Sequence, residues 1–143
     1  MSIIGFNFTK IAAERNEGIQ GQVNIKNNLA IKGIEKQDLS ITSKDQFGLK
    51  VSFEFTSKLE PNMGSITIHA NVLMLETKEE GQKILAEWEK TKKLDDELMK
   101  QTFTFMLRRC TIKALLLAED LNLPSPLPLP QVQVGQRESP PAK

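Results

Sequence analysis

His69 and Cys110 are the side chains of this sequence best suited to acid–base or nucleophilic chemistry, and each is the only residue of its type among 143. One imidazole could serve as a general base or a metal ligand, but a metal site needs several convergent donors. We expect His69 to be a strand residue on a solvent-exposed face. Cys110 follows Arg108 and Arg109, whose charge could lower a thiol pKa. It also falls on the apolar stripe of a predicted helix, where a free cysteine usually packs as a small hydrophobe.

Two acidic clusters offer a second kind of chemistry, because neighbouring carboxylates can divide the general acid and general base roles. The clusters are Glu79-Glu80 and Asp95-Asp96-Glu97. Both stand in the first turns of predicted helices, where the helix dipole favours negative charge, so capping is the simpler interpretation. The sequence has no Gly-rich phosphate loop and no HExxH pattern. We therefore expect no enzymatic activity, no metal and no other cofactor, with a small enzyme or RNA-binding protein as the remaining alternative.

Length and composition predict one globular domain. Nineteen basic and eighteen acidic residues leave a net charge of +1, so no overall field favours nucleic acid or an anionic membrane. A single cysteine excludes an intrachain disulfide and suits a reducing compartment. The first residues, MSIIGFNFTK, do not follow the pattern of a signal peptide, and no window approaches the roughly 18 to 20 apolar residues of a membrane span. We expect a cytoplasmic protein without membrane insertion.

Alternating apolar and polar residues predict an antiparallel sheet in the first half of the chain. The first strand covers residues 3–13, with Ile4, Phe6 and Phe8 on one face. The second covers 19–25 and continues over 29–34 after a bend at Asn27-Asn28. The strongest alternation, at 47–59 and 65–76, predicts a long hairpin around a turn at residues 60–64, where Pro, Asn and Gly suit turn geometry. The pattern also allows a short fifth strand around residues 39–41.

Two helices are predicted after the sheet. Thr77 and Glu80 have capping-box spacing, and the helix that they begin should end near residue 93 with Ile84, Leu85 and Trp88 on its apolar face. Asp95 can cap a second helix that reaches about residue 120. The main apolar stripe of the second helix comprises Met99, Phe103, Met106, Leu107, Cys110, Ala114 and Leu117. Further apolar residues are Leu98, Phe105, Ile112, Leu115 and Leu116. Because this stripe is wider than one sheet face usually covers, it predicts contact with a second subunit.

The segment LNLPSPLPLPQV, residues 121–132, alternates leucine with proline after the long helix. One interpretation is structural, with an extended polyproline-like chain laid over the domain. The other is functional, with the segment at the rim of a peptide-binding surface, since exposed apolar patches often mark binding sites. The sequence thus predicts an α+β domain over residues 1–132 with a four-stranded, at most five-stranded, antiparallel sheet. A polar tail follows at 133–143.

Taken together, the hairpin, the long helix and this proline segment resemble the SecB family of export chaperones, and especially its small archaeal SecB-like members. Phe8 to Ile11, Cys110, Leu121 to Pro124 and Val132 stand at places that correspond to the family pattern. The chain departs from bacterial members, which are strongly acidic and end in a second helix, so docking to a translocase motor is not carried over. The resemblance implies an ATP-independent holdase that binds unfolded or partly folded polypeptides, with a link to protein transport, and a homotetramer built as a dimer of dimers. The alternative on the same scaffold is a specific protein-interaction module, such as a toxin–antitoxin-associated or assembly partner.

The resemblance also implies where a client polypeptide would bind. The end of the proline segment should border the client surface near the long central strand. The expected peptide-binding residues are Phe53, Phe55, Leu123, Leu127, Leu129 and Val132.

Overall fold

The computed structural model describes residues 2–17, 22–38 and 45–127. In these ranges the chain forms four strands and two helices. They are β1 (Ser2–Arg15), β2 (Asn24–Lys36), β3 (Gln46–Glu60), β4 (Gly64–Thr77), α1 (Lys78–Thr91) and α2 (Asp96–Asp120). The strands make one antiparallel sheet in the order β1-β4-β3-β2, so β1 and β2 are its edges. The α+β class and the four-stranded sheet are confirmed, while the fifth strand near residues 39–41 lies outside the described residues.

The central hairpin of β3 and β4 follows the predicted alternation. Val51 stands opposite Val72 and Phe53 opposite Ala70, and all four side chains are buried on the face that the helices cover. The alternate residues of both strands are partly exposed on the helix-free face. The predicted turn lies between the strands, where Asn62 has a φ of 63° that asparagine adopts more readily than most residues.

Two details of the edge strands differ from the prediction. Strand β2 passes through Asn27 without a bend, because Asn27 pairs in register with Ser57 of β3 and the ladder continues on both sides. In β1, a register shift between Ile3 and Gly5 changes which side chains face the helices. Ile3 packs against the core with Phe6 and Phe8, whereas Ile4 is 40% exposed. The sequence pattern could not show this shift, because one extra residue reverses the alternation.

Helix α1 begins and ends as predicted. The Thr77 hydroxyl oxygen accepts a hydrogen bond from the Glu80 N–H at 3.2 Å, and Lys92 ends the helix in a left-handed conformation with φ of 58°. Ile84 and Trp88 are buried against the sheet, as expected.

Helix α2 packs on β3 and β4 through residues spaced four apart. Its buried row is Leu98, Thr102, Met106, Cys110, Ala114 and Ala118. An i, i+4 row is inclined to the helix axis, so the buried face shifts steadily around the helix from one turn to the next. The predicted stripe was therefore correct for Met106, Cys110 and Ala114 and wrong for Leu107, which is 48% exposed. Thr102 was missed as a core residue. Its hydroxyl donates to the Leu98 carbonyl at 2.9 Å, which satisfies its polar group inside the helix.

Candidate peptide-binding surface

Two phenylalanines, Phe103 and Phe105, extend from opposite flanks of α2 onto different strands of the sheet. The ring of Phe103 lies edge-on to Phe53 of β3 with centroids 5.8 Å apart, and the ring of Phe105 lies edge-on to Phe6 of β1 at 5.8 Å. The helix therefore runs over the middle of the sheet, with β1 on one side and β2, which α1 also contacts, on the other. We call the side of α2 that faces β2 the flank toward β2. The predicted peptide-binding residues belong to this flank.

Phe53 and Phe55 lie beneath this flank rather than on its surface. Their exposed fractions are 1% and 2%, so a peptide could not touch them unless the covering side chains moved. Ile31 and Leu29 of β2 stand opposite them in register and are half-buried. The accessible apolar side chains beside these phenylalanines are therefore those of β2. The sequence pattern predicted the face of β3 on which these phenylalanines lie but not the layer that covers them.

The start of the proline segment crosses the end of the sheet as a strap, which comprises Leu123–Leu127. Leu123 is 7% exposed and packs beside Gly64 at the β3–β4 turn, where a Cβ on the glycine would lie 3.3 Å from the leucine side chain. Further along, the Asn27 side-chain amide donates to the Pro126 carbonyl at 2.9 Å. The strap thus reaches β2 two residues from Leu29. Leu127, which follows, is 37% exposed.

Backbone carbonyls just before the strap are held by the opposite edge of the sheet. The Arg15 guanidinium at the end of β1 donates to the carbonyls of Leu121, at 3.1 Å, and Asn122. Side chains of both edge strands therefore fix the chain after α2. Within the proline segment, Leu123 is therefore packed against the domain, whereas Leu127 is partly exposed. Leu129 and Val132 lie outside the described residues, and their proposed role stays a prediction.

The most exposed apolar side chains of α2 belong to its outer face, which we define as the row Lys100, Thr104, Arg108, Ile112 and Leu116 together with the adjacent Leu107. Ile112 is 54% exposed and Leu116 is 55% exposed, both more than Leu107. The sequence showed these residues as surplus apolar positions but assigned them to a subunit contact. Their i, i+4 spacing, parallel to the buried row, is the signal that places them opposite the sheet.

The polar side chains that could take part in acid–base chemistry lie on the other face of the sheet, away from α2. On the helix-free face, His69 Nε2 lies 2.8 Å from Glu54 Oε2, and Lys32 Nζ lies 3.2 Å from the other carboxylate oxygen. The hydrogen bonds from His69 and then Lys32 lower the pKa of Glu54. The two best-formed clefts among the described residues do not include Glu54 or His69.

Cys110 and the larger of the two clefts also lie away from this surface. Cys110 is fully buried, and burial raises its thiol pKa to about 11, so it packs as a hydrophobe as expected. The cleft between α1 and the start of α2, of about 540 Å³, is lined mainly by charged side chains of both signs, together with the apolar Ile84, Leu94 and Leu98. Across residues 2–17, 22–38 and 45–127, no three His, Cys, Asp or Glu side chains gather as a metal site. Within the same ranges, neither helix is long and apolar enough to cross a membrane.

No protein-family model and no curated protein sequence matches this chain. Among solved structures it is similar to Rv1957 of Mycobacterium tuberculosis, a SecB-like chaperone whose structure holds a ChAD peptide from the Rv1956 HigA1 antitoxin. The likeness covers 92% of this chain and 89% of that chain, with a TM-score of 0.54 and 12% sequence identity. At this identity the comparison establishes architecture, and the chain has the fold of a SecB-like chaperone.

Proposed function

We propose that the protein is an ATP-independent holdase that binds non-native polypeptides in the cytoplasm and catalyses no reaction. The observation that carries the proposal is the outer face of α2, where Leu107, Ile112 and Leu116 are each about half exposed on a helix whose opposite side is fully packed. Exposed apolar surface of this kind usually marks a binding site. The fold also supports the proposal, because a SecB-like chaperone with this fold has been solved with a bound peptide.

Binding would use apolar contact rather than specific chemistry. Fully covering a leucine or isoleucine contributes roughly 1.5 to 3 kcal/mol, and about half of that gain is still available at side chains that are half exposed. The free-energy gain from three such side chains would be largely offset by the cost of association. The flank toward β2 and the exposed Leu127 must therefore add contact area for the affinity to be useful. Weak, additive contact of this type suits the reversible capture of many different chains.

The proposal is tested by aggregation of a chemically denatured model enzyme that is diluted into buffer with an equimolar amount of the protein. We expect delayed light scattering without any nucleotide. Replacing Ile112→Ser and Leu116→Ser together should weaken the delay. A matched pair at exposed polar positions of the same helix outside this face, Gln101→Ser with Glu119→Gln, should not. The absence of any delay across several unrelated substrates would exclude the holdase function.

A dedicated partner is the second candidate function. It is favoured by the nature of the neighbour's ligand, which is a peptide from one antitoxin. On this alternative, the chain is a toxin–antitoxin-associated or assembly partner on the same scaffold. Competition separates the two candidates, because unrelated unfolded substrates should displace one another from a holdase. A dedicated binder should bind none of these substrates, and none of them should displace its partner.

Self-assembly belongs to the same proposal. β1 is an edge strand whose outward backbone groups can pair with another strand, and it carries two exposed isoleucines, Ile4 at 40% and Ile11 at 42%. We infer that a second copy joins along β1, which leaves the flank toward β2 open to clients. By resemblance, two such pairs would form the tetramer.

A further inference from the structure

Four cations of α2 that have no ion-pair partner among the described residues stand beside the exposed apolar side chains of the helix. From residue 98 to residue 118 the helix has these four cations and no carboxylate. They are Lys100, Arg108, Arg109 and Lys113, of which only Lys113 is half-buried. None of them forms an ion pair with a carboxylate of the described ranges.

Lysines of the sheet are arranged differently. Lys26, Lys32 and Lys50 lie 3.2, 3.2 and 2.7 Å from glutamates on neighbouring strands. The helix as a whole is balanced, because Asp96 and Glu97 at its start and Glu119 and Asp120 at its end match the four cations in number. The positive charge of α2 is therefore concentrated in its middle, beside the exposed apolar side chains.

The cations and the apolar side chains of the outer face follow one another along the helix. Arg108 stands one turn before Ile112, and the row from Lys100 to Leu116 is about 24 Å long at 1.5 Å per residue. Its first half is therefore cationic and its second half apolar. Arg109 and Lys113 border the row, with their charged groups 5.0 Å and 5.5 Å from the ring centroids of Phe6 and Phe8.

A partner that covers Ile112 also removes water from Arg108, one turn away. Desolvating a cation without a counter-charge is unfavourable, and a carboxylate in the partner would offset this penalty. Resting on the proposed function, we propose that the outer face of α2 selects polypeptide segments that are both apolar and acidic. The Asp or Glu residues of the segment lie toward Arg108 and Lys100, and its Leu, Ile or Phe residues lie toward Ile112 and Leu116.

Charge makes other occupants less suitable. A second copy placed by a twofold axis through the middle of this face would set Arg108 and Arg109 against their own counterparts, which is unfavourable. Nucleic acid would pair with the cations but would leave Ile112 and Leu116 against sugars and phosphates.

The test uses the full-length protein and three labelled peptides of about 12 residues, which when extended exceed the length of the row. The peptides share the same apolar residues and differ in the interleaved ones, which are Asp and Glu, Ser and Gln, or Lys and Arg. By fluorescence anisotropy at low salt, we expect the acidic peptide to bind at least about fivefold more tightly than the neutral one, and the basic peptide to bind most weakly. Raising the salt to about 0.3 M should shrink this difference, because screening weakens exposed charge interactions.

Charge reversal then locates the preference. Lys100→Glu with Arg108→Glu should abolish or invert the order of the three peptides. The matched variant Lys58→Glu with Lys83→Glu, at exposed positions of β3 and α1, makes the same change in net charge and should preserve the order. All variants should retain the wild-type melting temperature to within a few degrees, since these side chains are exposed.

Several outcomes would overturn this inference while leaving the holdase function intact. One is equal binding of all three peptides, and another is a preference for the basic peptide. A third is a fall in oligomer mass on charge reversal, which would make this face a subunit contact. Binding of an oligonucleotide or of anionic vesicles through Lys100 and Arg108, without binding of the acidic peptide, would also overturn it. Failure of every peptide, together with no delay of aggregation, would instead remove the proposed function itself.

Discussion

The side-chain amide of Asn27 in β2 donates a hydrogen bond to the carbonyl of Pro126 at 2.9 Å. This bond joins an edge strand to the strap that crosses the end of the sheet. Together with the Arg15 bonds to the chain just after α2, it fixes the strap at both edges. The proline segment is therefore held to the domain by side chains that are far from it in sequence.

We expect Asn27→Ala to destabilise the strap locally. Loss of one hydrogen bond of this kind costs about 0.5 to 1.5 kcal/mol. Hydrogen exchange should quicken at the Leu123 amide, which donates to the Ala118 carbonyl at 2.8 Å, more than in the centre of β3. Asn28→Ala is the matched control, because Asn28 is exposed and has no side-chain hydrogen bond within the described residues. Equal effects of the two substitutions would show that the bond does not hold the strap.

Leucines at the two ends of the strap should respond differently to substitution. Leu123 is 7% exposed, and truncation of a buried leucine costs about 2 to 5 kcal/mol, so Leu123→Ser should lower the free energy of unfolding by that order. Leu127 is 37% exposed, and Leu127→Ser should cost less than about 1 kcal/mol while weakening binding of an unfolded client. Denaturant titration and client anisotropy on both variants check this. Unchanged client binding by a stable Leu127→Ser protein would leave the strap with a structural role alone.

The sequence predicted regular elements well and the surroundings of side chains less well. Strict alternation gave the β3–β4 hairpin, and the polar caps Thr77 and Asp95 gave both helix starts, because these signals are local. The exposure of Leu107 and Ile4 depends on the inclination of α2 and on one register shift, and neither is encoded in local periodicity. The burial of Phe53 was not predictable from local periodicity either, because it depends on the helix that packs above it.

Cys110 should be nearly inert in the folded protein. Burial raises its pKa from 9.0 to about 11, so near pH 8 the reactive thiolate is about 100-fold scarcer than in an ordinary thiol. We expect alkylation by iodoacetamide to be at least this much slower in native protein than in protein unfolded by urea. The ratio of the two rates, measured by mass spectrometry, tests the packing role. Comparable rates would mean that α2 opens readily or that the thiol is accessible.

Acid should weaken the sheet through Glu54. Hydrogen bonds from His69 and Lys32 lower the pKa of Glu54 in the folded state below its ordinary value of 4.5. The folded state therefore holds this proton less tightly than the unfolded state. The stabilisation is present above the ordinary pKa and is lost as the pH falls through the lower folded pKa. Unfolding titrations should show that Glu54→Gln destabilises the protein near neutral pH and that the deficit shrinks in acid.

A control for this prediction is Glu14→Gln, which removes a carboxylate from an exposed position of β1 that has no ion pair within the described residues. If the Glu54→Gln deficit were constant with pH, the carboxylate would not contribute through its charge. A deficit that grew in acid would contradict the sign of the shift.

Assembly provides the last prediction, because the exposed edge strand and the outer face of α2 are separate candidates for the subunit contact. We expect light scattering to give a mass that is a multiple of the 16.1 kDa chain. Ile11→Asp places a charge on the exposed side of β1 and should lower that mass, since an unpaired charge is unfavourable in an interface. Ile112→Ser with Leu116→Ser should leave it unchanged. A 16 kDa particle for the unaltered protein would exclude assembly. Dissociation by the α2 pair, but not by Ile11→Asp, would show that the long helix joins the subunits, as its surplus apolar residues first indicated.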